Sequence, residues 1–447
     1  MNCPGTILEQ MKQDAIDIFN QGLAAVDPKA CILEYCKLDG SFLHIDKQVF
    51  DLDRFETILV IGAGKAAASM AAAVEQILQD RITKGLVIVK YDHSEPLKTI
   101  SIIEAAHPVP DENGVNGSTA LLKLAQSADE KTLVLCLISG GGSALMALPA
   151  EGLTLLDKQK TTQVLLGCGA TIHEINTIRK HLSQIKGGRL ARAVYPATMA
   201  CLVLSDVVGD DLDIISSGPC VADPGTYEQC LKIIDHYHIS DHLPGAVMSY
   251  LTKGADGLIF ETPKPGDPVF NHISHSIVAS NFNALLSARK KAQELGYQVL
   301  LLSSMIEGET RDVAGVHAAI ARQVLTSHHP IKPPACILSG GETTVTIKGK
   351  GKGGRNQEFA LACGIRIKGL EHIVILSGGT DGTDGPTDAA GAIVDGTTMQ
   401  RALESGLNPD RHLNENNAYP LFEQLSDLLI TGATHTNVMD VRIMLIR

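Results

Sequence analysis

Residues 57–67 read Thr-Ile-Leu-Val-Ile-Gly-Ala-Gly-Lys-Ala-Ala: an apolar run, a glycine turn and the start of an alanine-rich segment. A short run without polar residues is typical of a strand buried on both faces, and the alanines favour a helix. The same order of apolar run, glycine-rich turn and helical pattern recurs three times, with the runs at 132–138, 336–338 and 372–376. Strands that alternate with helices predict an α/β fold with largely parallel sheets.

The length of 447 residues is enough for two or three domains. Residues 254–267 are rich in glycine and proline and show little periodicity, which predicts a domain boundary. We predict two α/β/α domains, 1–255 and 268–447. The first has a Rossmann-like, mostly parallel sheet and the second a mixed sheet, with the active site in the interdomain cleft. An alternative prediction is that the terminal segment packs back on the first domain. Residues 6–26 predict an amphipathic helix, and residues 1–55 carry no motif.

Composition excludes several classes of partner. The net charge is −12, aromatic residues make up 4% and Trp is absent, which argues against nucleic acid and against an anionic membrane surface. Residues 1–10 lack the pattern of a secretory signal, and no apolar run approaches the ~18 residues of a membrane span. The ten Cys lack a Cys-x-x-Cys pair, which favours small buried thiols in a reducing cytoplasm over disulfides or zinc.

The glycine turn after the first strand offers an anion site. Gly62 and Gly64 allow close backbone approach, and Lys65 lies at a helix start, where a cation opposes the helix dipole unless an anion is present. The pattern is also a weak variant of the dinucleotide fingerprint, although Lys65 and the position of the next acid, Asp92, count against NAD. A tight turn with a surface lysine is the structural alternative.

Further candidates for anion binding lie between residues 107 and 192. A second glycine turn fits either a phosphate nest or close helix–strand packing, and its residues are Ser139, Gly140, Gly141, Gly142 and Ser143. The basic stretch 175–192 fits either a solvated face or a trap for a substrate anion, and its candidates are Arg179, Lys186 and, on a second segment, Arg189. His107, in a proline-containing loop, is a candidate for lining the site.

Acidic and cationic residues follow the other strands. Asp206 can bind a metal or accept a hydroxyl proton, or simply cap a turn. Glu342 precedes a glycine-rich cationic loop, 348–358, that contains Arg355 and fits either phosphoryl transfer or a solvated hairpin tip. Residues 377–388 fit a cation shared with nucleotide phosphates or a series of Asx turns. The candidates there are Gly378, Gly379, Thr380, Asp381 and Asp384.

Taken in order, these motifs resemble the class II glycerate kinases, whose carboxyl-terminal part is called the MOFRL domain. The resemblance runs from about Thr57 to Ile446, and its matching segments are 61–67, 107–114, 138–148, 174–189, 204–219, 338–358 and 376–392. The chain differs from the family pattern at Ala433, where proline is frequent, and at 220–222, where Thr-x-Pro is common.

The resemblance implies conversion of D-glycerate and ATP to 2-phosphoglycerate and ADP with Mg²⁺ or another divalent cation. By motif, the family's active-site lysine falls on Lys65, its arginine on Arg355, and its acids on Asp206, Glu342 and Asp381. We predict that Lys65 and Arg355 stabilise the transferring phosphoryl group. Asp206 orients or deprotonates the substrate hydroxyl, and Glu342 and Asp381 hold the metal directly or through water, with an exchange of these roles among the three acids left open.

The glycine turns are predicted to hold the nucleotide phosphates, and the basic stretch is predicted to hold the substrate carboxylate. Two alternatives stay open at this point: an NAD(P)-dependent hydroxypyruvate reductase and a non-catalytic sensor of a sugar acid or nucleotide. The sequence leaves undetermined whether the 2- or the 3-hydroxyl is phosphorylated. It also leaves undetermined the oligomeric state, for which a homodimer is one option.

Overall fold

A computed structural model describes residues 7–447. Residues 1–6, and with them the first position of the predicted helix 6–26 and part of the stretch 1–10, lie outside the described residues. The remainder of that helix is confirmed as Ile7–Ala24. The chain divides into two compact units: a middle unit, Pro28–Val278, and a flanking unit made of residues 7–27 together with Ala279–Arg447.

The elements are numbered in chain order. The helices are α1 (Ile7–Ala24), α2 (Pro28–Tyr35), α3 (Ala67–Leu78), α4 (Glu112–Ala125), α5 (Gly142–Leu145), α6 (Leu155–Gly167), α7 (Ile172–His181), α8 (Arg189–Val194), α9 (Tyr227–His236), α10 (Gly245–Ala255), α11 (Asn281–Glu294), α12 (Thr310–Ser327), α13 (Arg355–Arg366), α14 (Thr398–Glu404), α15 (Pro409–Asn414) and α16 (Ala418–Leu425). The strands are β1 (Cys36–Asp39), β2 (Phe42–Ile45), β3 (Gln48–Asp51), β4 (Thr57–Ala63), β5 (Lys84–Lys90), β6 (Ile100–Ala105), β7 (Thr132–Ile138), β8 (Thr198–Leu204), β9 (Ile273–Ala279), β10 (Gln298–Ile306), β11 (Ala335–Gly341), β12 (Ile373–Gly379), β13 (Gly391–Asp395), β14 (Leu428–Leu429) and β15 (Asp440–Ile446).

The middle unit is organised around a six-stranded sheet in the order β6-β5-β4-β7-β8-β9. β4 pairs in parallel with β5 and β7, as do β5 with β6 and β7 with β8, so the predicted Rossmann-like parallel sheet is confirmed. Every side chain of β7 is buried, as expected for a strand covered on both faces. Because β4, β7 and β8 run in parallel, their carboxyl ends bring residues 64–65, 139–143 and 205–206 to one edge of the sheet.

The flanking unit contains the predicted mixed sheet, in the order β10-β11-β15-β12-β13-β14. β10 and β11 are parallel, whereas β15 is antiparallel to both β11 and β12. All seven residues of β15 are buried. The terminal segment is therefore a central strand of this sheet, with its apolar residues buried between β11 and β12.

The two units differ from the predicted division 1–255 and 268–447. Helix α1 belongs to the flanking unit, because its buried face packs against α11 and β12. The glycine- and proline-rich stretch 254–267 is held within the middle unit. Glu261 accepts a hydrogen bond from the backbone of Tyr227, and Thr262 donates one to Asp223. A sequence rich in glycine and proline thus forms an anchored segment here, and β9 completes the middle sheet after it.

Apolar side chains fill both units. One cluster lies between the middle sheet and its helices, a second joins α7, α9 and α10, and a third fills the flanking unit around α13. Within residues 7–447, no helix combines the length and the apolar character that a bilayer crossing requires.

Helix α10 provides a test of this packing. A Cβ at Gly254 would collide with the buried ring of Tyr227, whereas a Cβ at Gly245, at the start of the same helix, meets nothing within 4 Å. We expect Gly254→Ala to lower the free energy of unfolding by about 1–3 kcal/mol through overpacking. Gly245→Ala should leave it unchanged or raise it by about 0.5 kcal/mol. Urea denaturation of both variants measures the difference, and equal midpoints would contradict the packing.

Candidate active site

The turns after β4 and β7 are joined by two hydrogen bonds. The backbone N–H of Lys65 donates to the carbonyl of Gly140 at 2.8 Å, and that of Ala66 donates to Ser139 Oγ at 3.0 Å. The second bond satisfies one of the N–H groups exposed at the start of α3, a group that would otherwise be available to an anion. The two glycine turns therefore form one structure at the edge of the middle sheet.

The first glycine turn is explained by packing. A Cβ at Gly62 would collide with the backbone of Leu137, and one at Gly64 would collide with Ser139. Gly64 also has a φ of +143°, a conformation that other residues rarely adopt. Close contact with the neighbouring strand accounts for both glycines, and a role for them in holding a nucleotide stays a prediction.

The second glycine turn gathers predicted site residues. The Asp206 carboxylate lies so close to Gly140 that a Cβ there would collide with it. A Cβ at Gly141 would lie 3.0 Å from His107 Cδ2 and 3.3 Å from Lys65 Cγ. The structure thus brings Lys65, His107 and Asp206 together around Gly140 and Gly141. A Cβ on Gly142, the first residue of α5, would collide with Ser216.

A cationic cavity of about 230 Å³ opens beside this turn. Its lining residues are His107, Pro108, Pro110, Gly141, Ser143, Ala144, Ala147, Lys158, Thr162, Arg179 and Lys186. Lys186 Nζ donates to the Ser143 carbonyl at 2.6 Å and contacts Ser143 Oγ at 3.3 Å. Lys158 Nζ lies 3.4 Å from the Leu148 carbonyl. Three cationic side chains therefore face one cavity, and no acidic residue is among those that line it.

Burial lowers the pKa of each of these cations, and neighbouring positive charge adds to the effect for the two lysines. Burial, together with Arg179, lowers the pKa of Lys158 to about 7, and burial, then Lys158 and Arg179, lower that of Lys186 well below its ordinary value. Burial also lowers the pKa of Arg179. Burial, then Lys65 and Lys90, bring the pKa of His107 to about 4, so its ring is neutral at pH 7. An anion in the cavity would offset this repulsion.

Arg189 lies away from the cavity. Gly187 and Gly188 both have positive φ values and turn the chain before α8. Arg189 consequently donates to the Tyr227 hydroxyl at 3.2 Å, and its Nε is buried without a hydrogen-bond partner. Sequence reasoning did not identify Lys158, although a signal was present. Lys158 lies on the buried face of α6 with Thr161 and Leu165, at helical spacing where an apolar residue is expected.

Arg355 is the centre of a second cluster, at the first turn of α13 in the flanking unit. Its Nε donates to both carboxylate oxygens of Asp440, at 2.8 and 3.1 Å, and one terminal nitrogen lies 2.7 Å from Glu342. Asp440 is fully buried and also accepts from Arg442 at 3.0 Å and from Asn356 at 2.8 Å. Burial alone lowers the pKa of Arg355, but Asp440 and Glu342 outweigh burial and raise it.

Asp384 caps helix α13. Its carboxylate accepts from the backbone N–H groups of Asn356 and Gln357, at 3.0 and 2.8 Å. Burial raises the pKa of Asp384 to about 7 against the effect of these hydrogen bonds. The position places Asp384 in a structural role, since an acid at a helix N-terminus satisfies unpaired donors.

The turn after β12 is partly structural as well. Thr380 donates to the Met439 carbonyl at 2.7 Å and accepts from the Val438 backbone at 2.8 Å. Gly378 leaves room for Phe19 and Leu429, and Gly379 lies close to Asp381 and Asn356. Asp381 accepts from the Thr383 backbone at 3.2 Å, as in an Asx turn.

Glu342 and Asp381 are compatible with a shared divalent cation. Burial raises the pKa of Glu342; Arg355 opposes the rise, whereas Asp440 and Asp381 add to it. The Glu342 side chain stays 45% exposed, so solvent screens part of this repulsion. Mg²⁺ is usually held by one or two carboxylates, with substrate phosphates and water completing its coordination. Two carboxylates, of which Glu342 is also paired with Arg355, fit that donor set.

Sequence reasoning did not identify Asp440, which is the partner that fixes Arg355. The available signal was an acidic residue at the first position of β15, because the rest of that strand, Val441–Ile446, is mostly apolar. It could not be interpreted without knowing that β15 lies between β11 and β12, since only that placement brings Asp440 to the start of α13.

Two protein-family descriptions match the chain. A domain of unknown function, DUF4147, covers residues 14–252, and the MOFRL family covers residues 335–440. The chain is 39% identical over 441 residues to a glycerate 2-kinase of Pyrococcus horikoshii, with 98% of each chain covered. It is 41% identical to a D-glycerate 2-kinase of Thermotoga maritima, covering 98% of this chain and 99% of the relative.

A solved structure supports the same assignment. The crystal structure of a glycerate kinase from Thermotoga maritima matches with a TM-score of 0.87 and 40% identity, over 98% of this chain and all of the other. The chain is therefore an α/β protein with the architecture of that enzyme. It belongs to the glycerate kinase family that carries the MOFRL domain.

The cationic cavity predicts a pH-dependent stability. Lys158 is charged in the unfolded chain up to about pH 10.5, but its folded pKa is about 7. The penalty for burying the charge is complete below pH 7 and disappears as the pH rises from 7 to 10.5, because the folded state then binds fewer protons than the unfolded state. We expect Lys158→Met to be more stable than the wild type at pH 6, by on the order of a few kcal/mol.

The advantage of Lys158→Met should shrink towards pH 10. Lys160→Met is the matched control, since Lys160 is an exposed lysine of the same helix and should give no pH-dependent difference. Thermal unfolding of the three proteins in an anion-poor buffer from pH 6 to 10 measures this dependence. Parallel curves for wild type and Lys158→Met would contradict the burial of a charged Lys158.

Proposed function

We propose that this protein phosphorylates D-glycerate with ATP, at the 2-hydroxyl, to give 2-phosphoglycerate and ADP. Glycerate kinases related to the chain over nearly its whole length support a phosphotransferase that uses ATP and this small hydroxy acid. The proposed location of the site rests on one observation: the cationic cavity lies beside the turn around which Lys65, His107 and Asp206 meet.

The cavity suits a substrate that gains negative charge during the reaction. D-glycerate enters with one carboxylate, and the product also carries a phosphate of about −1.5 to −2 at pH 7. We assign the carboxylate to Arg179 and Lys186, with Lys158 as a third contributor to the positive potential. A neutral His107 at the cavity wall can donate or accept a hydrogen bond with a substrate hydroxyl. Arg189 is left out of this assignment because it contacts Tyr227.

We assign phosphoryl transfer to Lys65 and Asp206. Catalysis of this reaction consists mainly of positioning and of stabilising charge on the transferring group, with an acid that orients or deprotonates the attacking hydroxyl. We assign the charge-stabilising role to Lys65 and the hydroxyl to Asp206. The second glycine turn, Ser139 to Ser143, presents backbone to the transferring phosphate at the same edge of the sheet.

The flanking unit supplies the proposed metal and nucleotide groups. Glu342 and Asp381 would hold a divalent cation, which when bound neutralises charge on the phosphates of ATP. Arg355, held in position by Asp440, supplies a further cation to the same reaction. A contact of Gly378 and Gly379 with the nucleotide stays a prediction, whereas Thr380 and Asp384 position the turn and helix α13. The location of the active site in the cleft between the domains stays a prediction.

The nicotinamide alternative has less support. It depended on the turn of Gly62 and Gly64, and both glycines are accounted for by Leu137 and Ser139, which occupy the space beside them. In a dinucleotide site, that space admits the pyrophosphate.

The activity is tested directly by mixing the purified protein with ATP, Mg²⁺ and D-glycerate. We expect ADP to form only when glycerate is present, and NMR of the product should identify 2-phosphoglycerate. Formation of the 3-phosphate would correct the position of transfer. Absence of glycerate-dependent ADP, or consumption of NADH with hydroxypyruvate, would reject the kinase proposal.

Replacement of Lys65 tests its assigned role. We expect Lys65→Ala to lower kcat by about a hundredfold or more while the fold is retained, as for other groups that stabilise transition-state charge. Lys98→Ala is the control, because Lys98 is an exposed lysine of the same unit whose backbone contact with Glu75 survives the change. A kcat within threefold of wild type for Lys65→Ala would remove Lys65 from the mechanism.

A further inference from the structure

Three cysteine thiols meet inside the middle unit. Cys136 in β7 and Cys201 in β8 are paired in register, and Cys220 lies on the segment that follows Pro219. Their sulfur atoms all lie within 4.8 Å of one another, and those of Cys136 and Cys220 are 3.7 Å apart. Among residues 7–447, this is the one group of three or more potential ligands from His, Cys, Asp and Glu at such distances.

A small cavity adjoins the thiols. It measures about 20 Å³ and is lined by Cys201 and Cys220 together with His275 of β9. A space of this size holds about one small atom or water molecule. Nε2 of His275 lies 3.2 Å from the Cys220 carbonyl oxygen. Because a carbonyl oxygen only accepts hydrogen bonds, Nε2 carries the ring proton and donates it. In the neutral ring, Nδ1 then holds the electron pair that a metal ligand needs.

One separation between the sulfur atoms matches that found around a tetrahedral metal, and the third sulfur lies within 4.8 Å of both others. With Zn–S bonds of about 2.3 Å, two ligand sulfurs lie ~3.8 Å apart, close to the separation of Cys136 and Cys220. Cys201 and Cys220 also line the small cavity together with His275, so two of the three cysteines and an imidazole border one space.

We propose that Cys136, Cys201 and Cys220 bind one thiophilic d¹⁰ cation of the Zn²⁺ class, with His275 as the candidate for the fourth ligand. Binding releases the protons of the three thiols, and the complex of Zn²⁺ with three thiolates carries a net charge of −1. Cys₃His is an established donor set for structural zinc. This site is separate from the carboxylates assigned to the catalytic cation and does not rest on the proposed kinase function.

A bound ion would stabilise the segment that supports the second glycine turn. Ser216 and Ser217, just before Cys220, have φ values of +52° and +61°, which are strained for residues other than glycine. Ser217 Oγ lies 2.8 Å from Ser143 Oγ and donates to Asn176 at 3.1 Å. Holding Cys220 on β7 and β8 would therefore restrain a segment that contacts Ser143, which lines the cationic cavity.

The proposal is tested by titrating the reduced, full-length protein with Cd²⁺ and recording the ultraviolet charge-transfer absorbance of cadmium–thiolate bonds. We expect saturation at one equivalent in the wild type and at least a tenfold weaker affinity in Cys136→Ser and Cys220→Ser. Cys168→Ser is the matched control, because Cys168 belongs to the same unit but is absent from the cluster. It should titrate like the wild type.

A second measurement needs no variant and so remains decisive if the serine variants fail to fold. Zn²⁺ added to the reduced wild-type protein should raise Tm, because an ion that binds only the folded state stabilises it. The absence of both a Cd²⁺ band and a Zn²⁺-dependent rise in Tm would overturn the proposal. Full binding in Cys136→Ser, or a Cys136–Cys220 disulfide in the freshly purified protein, would also overturn it.

Discussion

The contact between the turns that follow β4 and β7 determines the geometry of the middle unit's site. Lys65 and Ala66 donate to Gly140 and Ser139, and the strands can approach this closely only because Gly62 and Gly64 lack side chains. This contact fixes where the backbone of Lys65 leaves the sheet. Asp206 reaches the same turn from β8, so side chains more than 140 positions apart in sequence meet because three parallel strands end at one edge.

The flanking unit has a different constraint, because the charged side chain of Asp440 is buried away from solvent. Asp440 is fully buried, and an isolated carboxylate there would cost many kcal/mol. Arg355, Arg442 and Asn356 surround it, so the charge is compensated and its lone pairs are used. The consequence is that Arg355 has one well-defined position, although it lies just after a glycine-rich loop in the sequence. The buried carboxylate of Asp440 thereby holds the side chain of Arg355, the first residue of α13, in position.

The sequence was sufficient for those features that depend on local pattern. Apolar runs followed by glycine turns predicted β4, β7, β11 and β12, and the alternation of strands with helices predicted the parallel sheet of the middle unit. It was insufficient where long-range packing decides. The buried face of α1 joins residues 279–447, and Glu261 anchors a stretch that reads as a linker. Lys158 and Asp440 were missed for the same reason, since their partners come from other elements.

The cavity beside Ser143 shows why function and stability oppose each other in this fold. Lys158 and Lys186 are buried next to Arg179; burial disfavours the charged form of both lysines, and Arg179 adds to that effect. A chain selected for stability alone would place apolar residues there, because burying like charges together is unfavourable. An anion reverses the balance: it offsets the repulsion and restores the protonated lysines. These buried charges make folding less favourable and make the binding of an anionic ligand correspondingly more favourable. Such affinity is expected of a site for an acid that becomes phosphorylated.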